Sequence, residues 1–238
     1  MTTLTFQTTC IYNRLIARDI YEFALEKPQG FTYEPGQFVL FSVPLLENPA
    51  DIQPRAYSIA SAPREPDLRF ILKLREGGRA SRWCTGVLRE RMPVAMQGPF
   101  GSLLLDRATT KDYLFLCTST GIAPFRSMIL SALAAGDTRR MDILFGAWNE
   151  EGVFWTEDFQ RLAASHPSFR HHIVLDSPSP AWNGHRGHVQ DIAPQIVPDC
   201  GRRSIYICGN PVMVAAAKQC CLSQWEMPKD ALHVEGYI

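Results

Sequence analysis

Arg55-Ala56-Tyr57-Ser58 puts a cation, an aromatic ring and a hydroxyl within four residues. On a strand, where alternate side chains point to opposite faces, these groups could serve a pyrophosphate, a flat ring system and a ring nitrogen. An ordinary amphipathic strand would carry the same residues. Gly77-Gly78-Arg79-Ala80-Ser81-Arg82-Trp83 sets glycines just before a predicted helix. Backbone N–H groups left exposed at the helix's positive end suit a pyrophosphate, and a hairpin turn with Ser81 as its capping residue is the alternative. Thr118-Ser119-Thr120-Gly121-Ile122-Ala123-Pro124-Phe125 falls between a predicted strand and helix, where close backbone approach again favours the pyrophosphate of a nucleotide. Cys208-Gly209-Asn210-Pro211 ends another strand ahead of another helix. A free cysteine is more often a buried small hydrophobe than a functional group, so both readings stand for Cys208. The tail, Val234-Glu235-Gly236-Tyr237-Ile238, spaces an acid and an aromatic ring two residues apart, and a plain edge strand would also fit it.

In order and spacing, these segments resemble the ferredoxin–NADP reductase superfamily over nearly the whole chain. The resemblance implies FAD as cofactor and NAD(P)H as co-substrate, with the flavin in a cleft between two domains. Arg55, Ala56, Tyr57 and Ser58 then bind the flavin, Ser58 near its N5. Gly78, Arg79, Ala80 and Ser81 make the second flavin contact. Thr118, Thr120, Gly121 and Ile122 cradle the nicotinamide nucleotide, and Cys208 and Gly209 face its ring. Glu235 joins a polar network with the serine and cysteine, and Tyr237 covers the flavin face that the nicotinamide must reach. Ser58, Cys208, Glu235 and Tyr237 are the expected catalytic residues. Two departures from the family pattern stand out. Ser119 replaces the first glycine of the usual Gly-Thr-Gly-Ile-Ala-Pro, which narrows the allowed backbone, and Ile238 follows Tyr237.

The implied activity is electron transfer between NAD(P)H and ferredoxin or flavodoxin. An NAD(P)H:flavin reductase or the reductase component of an oxygenase would use the same motifs. A non-catalytic flavin-binding electron-transfer subunit is a further alternative, against which the intact Cys208 and Glu235 argue. Between residues 75 and 91, Arg75, Arg79, Arg82, Arg89 and Arg91 face only Glu76 and Glu90. They form either a basic rim for an acidic carrier or a solvated face. Asp176-Ser177 stands where NADP-binding members often place Ser-Arg. A carboxylate suits a free 2′-hydroxyl and repels a phosphate, which leans the choice toward NADH unless His185 and Arg186 compensate.

These residues need elements to hold them. Six short segments, at 4–12, 20–26, 37–43, 55–61, 68–75 and 94–98, are separated by turn chemistry and predict an N-terminal antiparallel β-barrel plugged by a helix over 81–88. From about residue 106 the pattern changes. Apolar strands at 113–118, 141–146, 170–175, 204–208 and 232–237 alternate with helices at 124–135, 156–164, 189–196 and 212–224. That alternation predicts an α/β doubly wound parallel sheet, with ligands bound beyond the carboxyl ends of its strands. The expected domains are a FAD-binding barrel over 1–105 and an NAD(P)-binding domain over 106–238.

Composition narrows the classes further. At 238 residues, 46% hydrophobic and with a formal net charge of zero, the chain can bury a substantial core and has no global field to draw it to nucleic acid. No run approaches the eighteen or so apolar residues of a membrane span, and the first residues lack a basic segment ahead of an apolar core, so a cytoplasmic location is expected. The seven cysteines include no Cys-x-x-Cys pair, which argues against a disulfide framework, a structural zinc and an iron–sulfur cluster. His185 and His188 lie in a glycine-containing loop and read as solvated rather than metal-binding.

Overall fold

A computed structural model describes residues 4–237. The chain divides into two compact units, one holding the described residues through Leu105 together with Ala123–Ser131, the other holding the remainder. Strands β1 (Thr5–Ala17), β2 (Ile20–Glu26), β3 (Phe38–Leu45), β4 (Asn48–Ser58), β5 (Asp67–Lys73) and β6 (Pro93–Phe100) form an antiparallel sheet in the order β4-β3-β6-β1-β2-β5. The end strands β4 and β5 approach each other, so the sheet rolls up around one core.

Alternation drives this. On β3, Val39, Phe41 and Val43 are fully buried and the residues between them are partly exposed. Phe41 packs edge-on against Phe70 at 4.9 Å and lies 5.6 Å from Phe23. Helix α1 (Arg79–Gly86) inserts Trp83, 6.0 Å from both Phe23 and Phe41, as the expected plug. Each such ring pair adds about 0.5–1.5 kcal/mol beyond its area burial. The helix starts two residues ahead of the expected 81–88, because Arg79 and Ala80 already take helical backbone.

The second unit contains β7 (Tyr113–Thr118), α2 (Ile122–Ala134), β8 (Met141–Ala147), α3 (Thr156–Ser165), β9 (Phe169–Leu175), β10 (His185–Arg186), α4 (Val189–Ile196), β11 (Ser204–Gly209), α5 (Pro211–Ser223) and β12 (Leu232–Gly236). Part of α2 groups with the first unit. The sheet is parallel throughout, in the order β10-β9-β8-β7-β11-β12. Tyr113 to Cys117 are all buried, as a strand covered on both faces requires. Strand order reverses beside β7: β8 to β10 leave on one side, β11 and β12 on the other. That reversal falls at β7 and β11, and doubly wound sheets bind ligands beyond the carboxyl ends of the strands at such a point.

Candidate functional site

In the first unit, Arg55, Ala56, Tyr57 and Ser58 form the last residues of β4. Arg55 donates to the Gln53 side chain at 2.9 Å and to the Pro54 carbonyl at 2.8 Å, both neutral acceptors, and no carboxylate pairs with it among the described residues. Ala56 is exposed. Tyr57 packs its ring 5.8 Å from Phe41 and 6.3 Å from Phe23, and burial raises its hydroxyl pKa. Ser58 is buried at the strand end.

Gly78 precedes α1 in extended backbone, with no side-chain cap and no acidic residue in the first turn, so the first N–H groups of the helix keep their partial positive charge. A Cβ on Gly78 would come within 3.0 Å of the Arg75 carbonyl and of Ser81 Oγ, so the turn is built for bare backbone. Ser81 Oγ accepts from the Arg75 N–H at 2.7 Å and thereby closes the loop. The Arg79 side chain turns to Asp51, Nη2 to Oδ2 at 2.9 Å, leaving its backbone to the helix start with Ala80. An unneutralised guanidinium and an uncapped helix start are what a pyrophosphate needs, and these residues fit FAD.

Of the five arginines at 75–91, Arg75, Arg89 and Arg91 are exposed. Arg79 and Arg82 instead bind Asp51 and Glu47, fastening the β3–β4 hairpin to α1. That leaves three of the five at the surface, with Glu90 3.7 Å from Arg91.

Sequence reasoning missed the brace behind Ser58. Arg126, almost fully buried, forms a two-pronged pair with Glu65 at 2.8 and 2.9 Å and donates to the Ala60 carbonyl at 2.9 Å. Burial alone would raise the Glu65 pKa, but the Arg126 bonds and the Ala62 N–H outweigh it and hold the carboxyl below its ordinary value. Ser127 Oγ and the Tyr33 hydroxyl donate to the Ser61 carbonyl at 2.7 and 2.9 Å. The segment following β4 is thus fixed by residues far away in sequence, and no local motif announces them.

In the second unit, the β7–α2 turn and the end of β11 meet backbone to backbone. A Cβ on Gly121 would overlap the Cys208 carbonyl and lie 2.6 Å from Gly209 Cα. Gly209 has φ +142°, and a Cβ there would meet Thr118 Oγ1 at 2.5 Å. The Asn210 N–H donates to the same Thr118 hydroxyl at 3.2 Å. Ser119 takes φ +52°, a left-handed conformation that glycine adopts without strain and a residue with a Cβ does not. Thr120 and Gly121 continue a short turn into Ile122, the first residue of α2, whose first turn carries no acidic residue.

Cys208 is fully buried and sits in register with Cys117 on β7 and Glu235 on β12. Burial pushes its thiol pKa well up, a hydrogen bond from Tyr237 offsets part of this, and the Glu235 charge adds to it; the sulfur stays protonated at neutral pH. Glu235 is half-buried and has no hydrogen-bond partner among the described residues, and burial raises its pKa as well. The Tyr237 N–H donates to the Gly209 carbonyl and its hydroxyl to the Thr120 carbonyl, both at 3.2 Å, so the ring spans the ends of β11 and β7. Ile238 lies outside the described residues. Asp176 follows β9, with its N–H on the Ala147 carbonyl at 3.0 Å and its carboxylate 3.3 Å from His188 Nδ1. Arg186 donates to the carbonyls of Ser179, Pro180 and Trp182. Among the described residues, no helix is long and apolar enough to cross a membrane.

An antiparallel unit with an anion-ready helix start, followed by a parallel unit with a glycine-bare switch point, defines a two-unit nucleotide-dependent reductase. Residues 115–219 match the oxidoreductase NAD-binding domain. The chain is 32% identical over 242 residues to ferredoxin–NADP reductase B of Sorangium cellulosum (strain So ce56), covering 98% of this chain and 97% of that protein. It is also 32% identical over 197 residues to the reductase component of phenol 2-monooxygenase of Pseudomonas sp. (strain CF600), covering 81% of this chain but only 54% of that protein. The crystal structure of an Amycolatopsis cytochrome P450 reductase superposes with a TM-score of 0.88 at 25% identity, covering 99% of this chain and 71% of that one. The chain belongs to the ferredoxin–NADP reductase superfamily and is an oxidoreductase.

Proposed function

We propose that the protein is a FAD-dependent oxidoreductase passing electrons between NAD(P)H and a one-electron carrier protein, ferredoxin or flavodoxin. The observation that carries this reading is the close packing of Thr118–Gly121 against Cys208–Gly209, backbone on glycine, at the switch point of the sheet, the place where a doubly wound sheet receives a nucleotide. FAD, when bound, accepts a hydride as a pair and releases electrons singly. Residues 1–105 supply its binding unit and 106–238 the nucleotide's. Arg55 neutralises the pyrophosphate together with the backbone of Gly78, Arg79, Ala80 and Ser81. Tyr57 and Ala56 line the ring system, and Ser58 orients it through a hydrogen bond, held in place by the Arg126–Glu65 brace. On the other unit, Thr118, Thr120, Gly121 and Ile122 receive the nucleotide. Cys208, as a neutral thiol, packs beside the nicotinamide with Gly209, and Glu235 supplies a polar neighbour. Tyr237 occupies the mouth and yields to the incoming ring. The protein's share is orientation, not proton transfer.

A second reading, the reductase component of an oxygenase, is favoured by the likeness to the phenol 2-monooxygenase component. The exposed Arg75, Arg89 and Arg91 suit an acidic protein partner in either case. Asp176 supports NADH over NADPH, since it leaves a 2′-phosphate facing a carboxylate.

Steady-state reduction of ferredoxin, flavodoxin and free flavin, each with NADH and NADPH, separates these acceptors. Cys208→Ala is expected to slow flavin reduction in stopped flow by on the order of a hundredfold at saturating nicotinamide, with the fold intact. An unchanged rate would remove Cys208 from the site, and a protein that takes up no FAD would end the reading altogether.

A further inference from the structure

One large apolar side chain on the carboxyl edge of the parallel sheet has no role so far. Trp148 directly follows β8 and is 68% exposed, the indole making no ring contact and no hydrogen bond among the described residues. Its backbone is fixed, because the Ser177 N–H donates to the Trp148 carbonyl at 2.7 Å, just as Asp176 is tied to Ala147. Trp148 therefore lies alongside Asp176 at the ends of neighbouring strands. The wall behind them is built as well. Glu150, two residues on, accepts from the Ser179 N–H at 3.0 Å and from its hydroxyl at 2.6 Å. The Trp182 indole N–H donates to the His185 carbonyl at 3.1 Å, and Gly184 lies so close to that ring that a Cβ would come within 2.5 Å of it. Arg186 Nη2 donates to the Trp182 carbonyl at 2.6 Å and the Ser179 carbonyl at 3.0 Å, tying the same loop together.

We infer that Trp148 is the stacking platform for the adenine ring of the dinucleotide, with Asp176 beside it for the adenine-side ribose. The inference rests on the reading of this edge as the nucleotide site. A dinucleotide whose pyrophosphate sits at the β7–α2 turn and whose nicotinamide lies toward β11 extends its other half across the ends of β8 and β9, where Trp148 and Asp176 stand. A purine offers a flat π-face to the exposed indole, and its burial there removes apolar surface of both partners from water. The Asp176 carboxylate, 3.3 Å from His188 Nδ1, stands in this corner, so the corner favours a ribose over a phosphate.

The test titrates the FAD-loaded protein by calorimetry with three ligands that cannot reduce it: NAD+, ADP-ribose, and nicotinamide mononucleotide, which lacks the adenine. In Trp148→Ala the Kd for NAD+ and ADP-ribose is expected to rise roughly tenfold while that for the mononucleotide stays put, and Trp148→Phe should recover most of the loss. Trp148 is exposed, so neither variant removes core packing. Equal ADP-ribose affinity in wild type and Trp148→Ala would overturn the platform and leave the nucleotide site standing. A wild-type protein that binds neither NAD+ nor ADP-ribose would overturn both.

Discussion

The two ends of the parallel sheet are built on opposite principles. At the amino end, a buried charge pair anchors a network of ion pairs. Arg203 reaches Asp142 at 2.6 Å, Asp199 at 3.0 Å and the Tyr113 carbonyl at 3.2 Å. His172 meets the other Asp142 oxygen at 3.1 Å, and Arg140 bridges Asp112 and Asp199, each at 2.6 Å. At the carboxyl end there is no such network among the described residues. Backbone packs on glycine, Ser119 sits in a left-handed conformation, Glu235 has no hydrogen-bond partner, and Trp148 faces solvent. One end ties strands together through the Arg203–Asp142 pair and its neighbours. The other leaves N–H groups, an acid and an indole unspent, as a surface that must accept a ligand does.

The largest effect should come from the paired end. Arg203→Ala leaves the buried Asp142 without its guanidinium, and losing one partner of a buried pair costs about 3–5 kcal/mol. Chemical denaturation would register that loss, while flavin reduction by the nicotinamide in the folded fraction should stay near wild type. The same pair sets a pH dependence. Burial raises the Asp142 pKa, but bonds from His172 and Arg203 outweigh it, so the folded pKa lies below the unfolded one. Its contribution is therefore present at neutral pH and is lost as pH falls through the acid range toward the folded pKa. Acid unfolding should begin at higher pH in Arg203→Ala. If reduction kinetics fall with stability, the two ends are not separable as drawn.

Gly121→Ala attacks the other end. The new methyl would overlap the Cys208 carbonyl, which is sheet backbone and cannot give way as a side chain would. Overpacking of this kind costs about 1–3 kcal/mol, less than Arg203→Ala. Its effect on nicotinamide affinity and on the reduction rate should be disproportionate, because the turn and Cys208 are displaced together. A variant with wild-type nucleotide affinity would show that this contact holds the fold and not the site.

Much of this was legible where a rule acts over a few residues. Strand β7 and helix α4 coincide with the expected 113–118 and 189–196, since an unbroken apolar run and an amphipathic stretch are local signals. Strand β4 begins at Asn48 and not at residue 55, because Pro49 and Pro54 read as turn residues although an edge strand tolerates them. Strand β1 runs on to Ala17 through Asn13 and Arg14, which find partners in Cys84, Leu88 and Glu22. Strand β10 is two residues long and exists only by pairing with Val174 and Leu175. The glycines at 121 and 209 could be placed in advance because backbone sterics confine such residues to a few environments. Arg126 with Glu65, and Trp148, could not, since a pair 61 residues apart and an uncovered indole leave no trace in local pattern.

The smallest effect, and the sharpest on the comparison, belongs to Ser119. Its φ of +52° costs a residue with a Cβ about 1–2 kcal/mol, and its hydroxyl makes no hydrogen bond among the described residues to offset that. Ser119→Gly removes the strain but also frees the unfolded chain, so the net gain should be at most about 1 kcal/mol, seen as a rise in Tm of roughly 2–4 °C. That would make the carboxyl end a place where stability is forgone, in contrast to the amino end, where Arg203 maximises it. The reason for keeping a serine can be read from the same variant. If NAD+ binds more weakly to Ser119→Gly although the protein is more stable, the hydroxyl contacts the nucleotide and the strain is functional. If affinity is unchanged, the serine is a tolerated departure from glycine. A fall in stability would mean that the turn depends on the serine side chain, and the contrast between the two ends would lose its strained member.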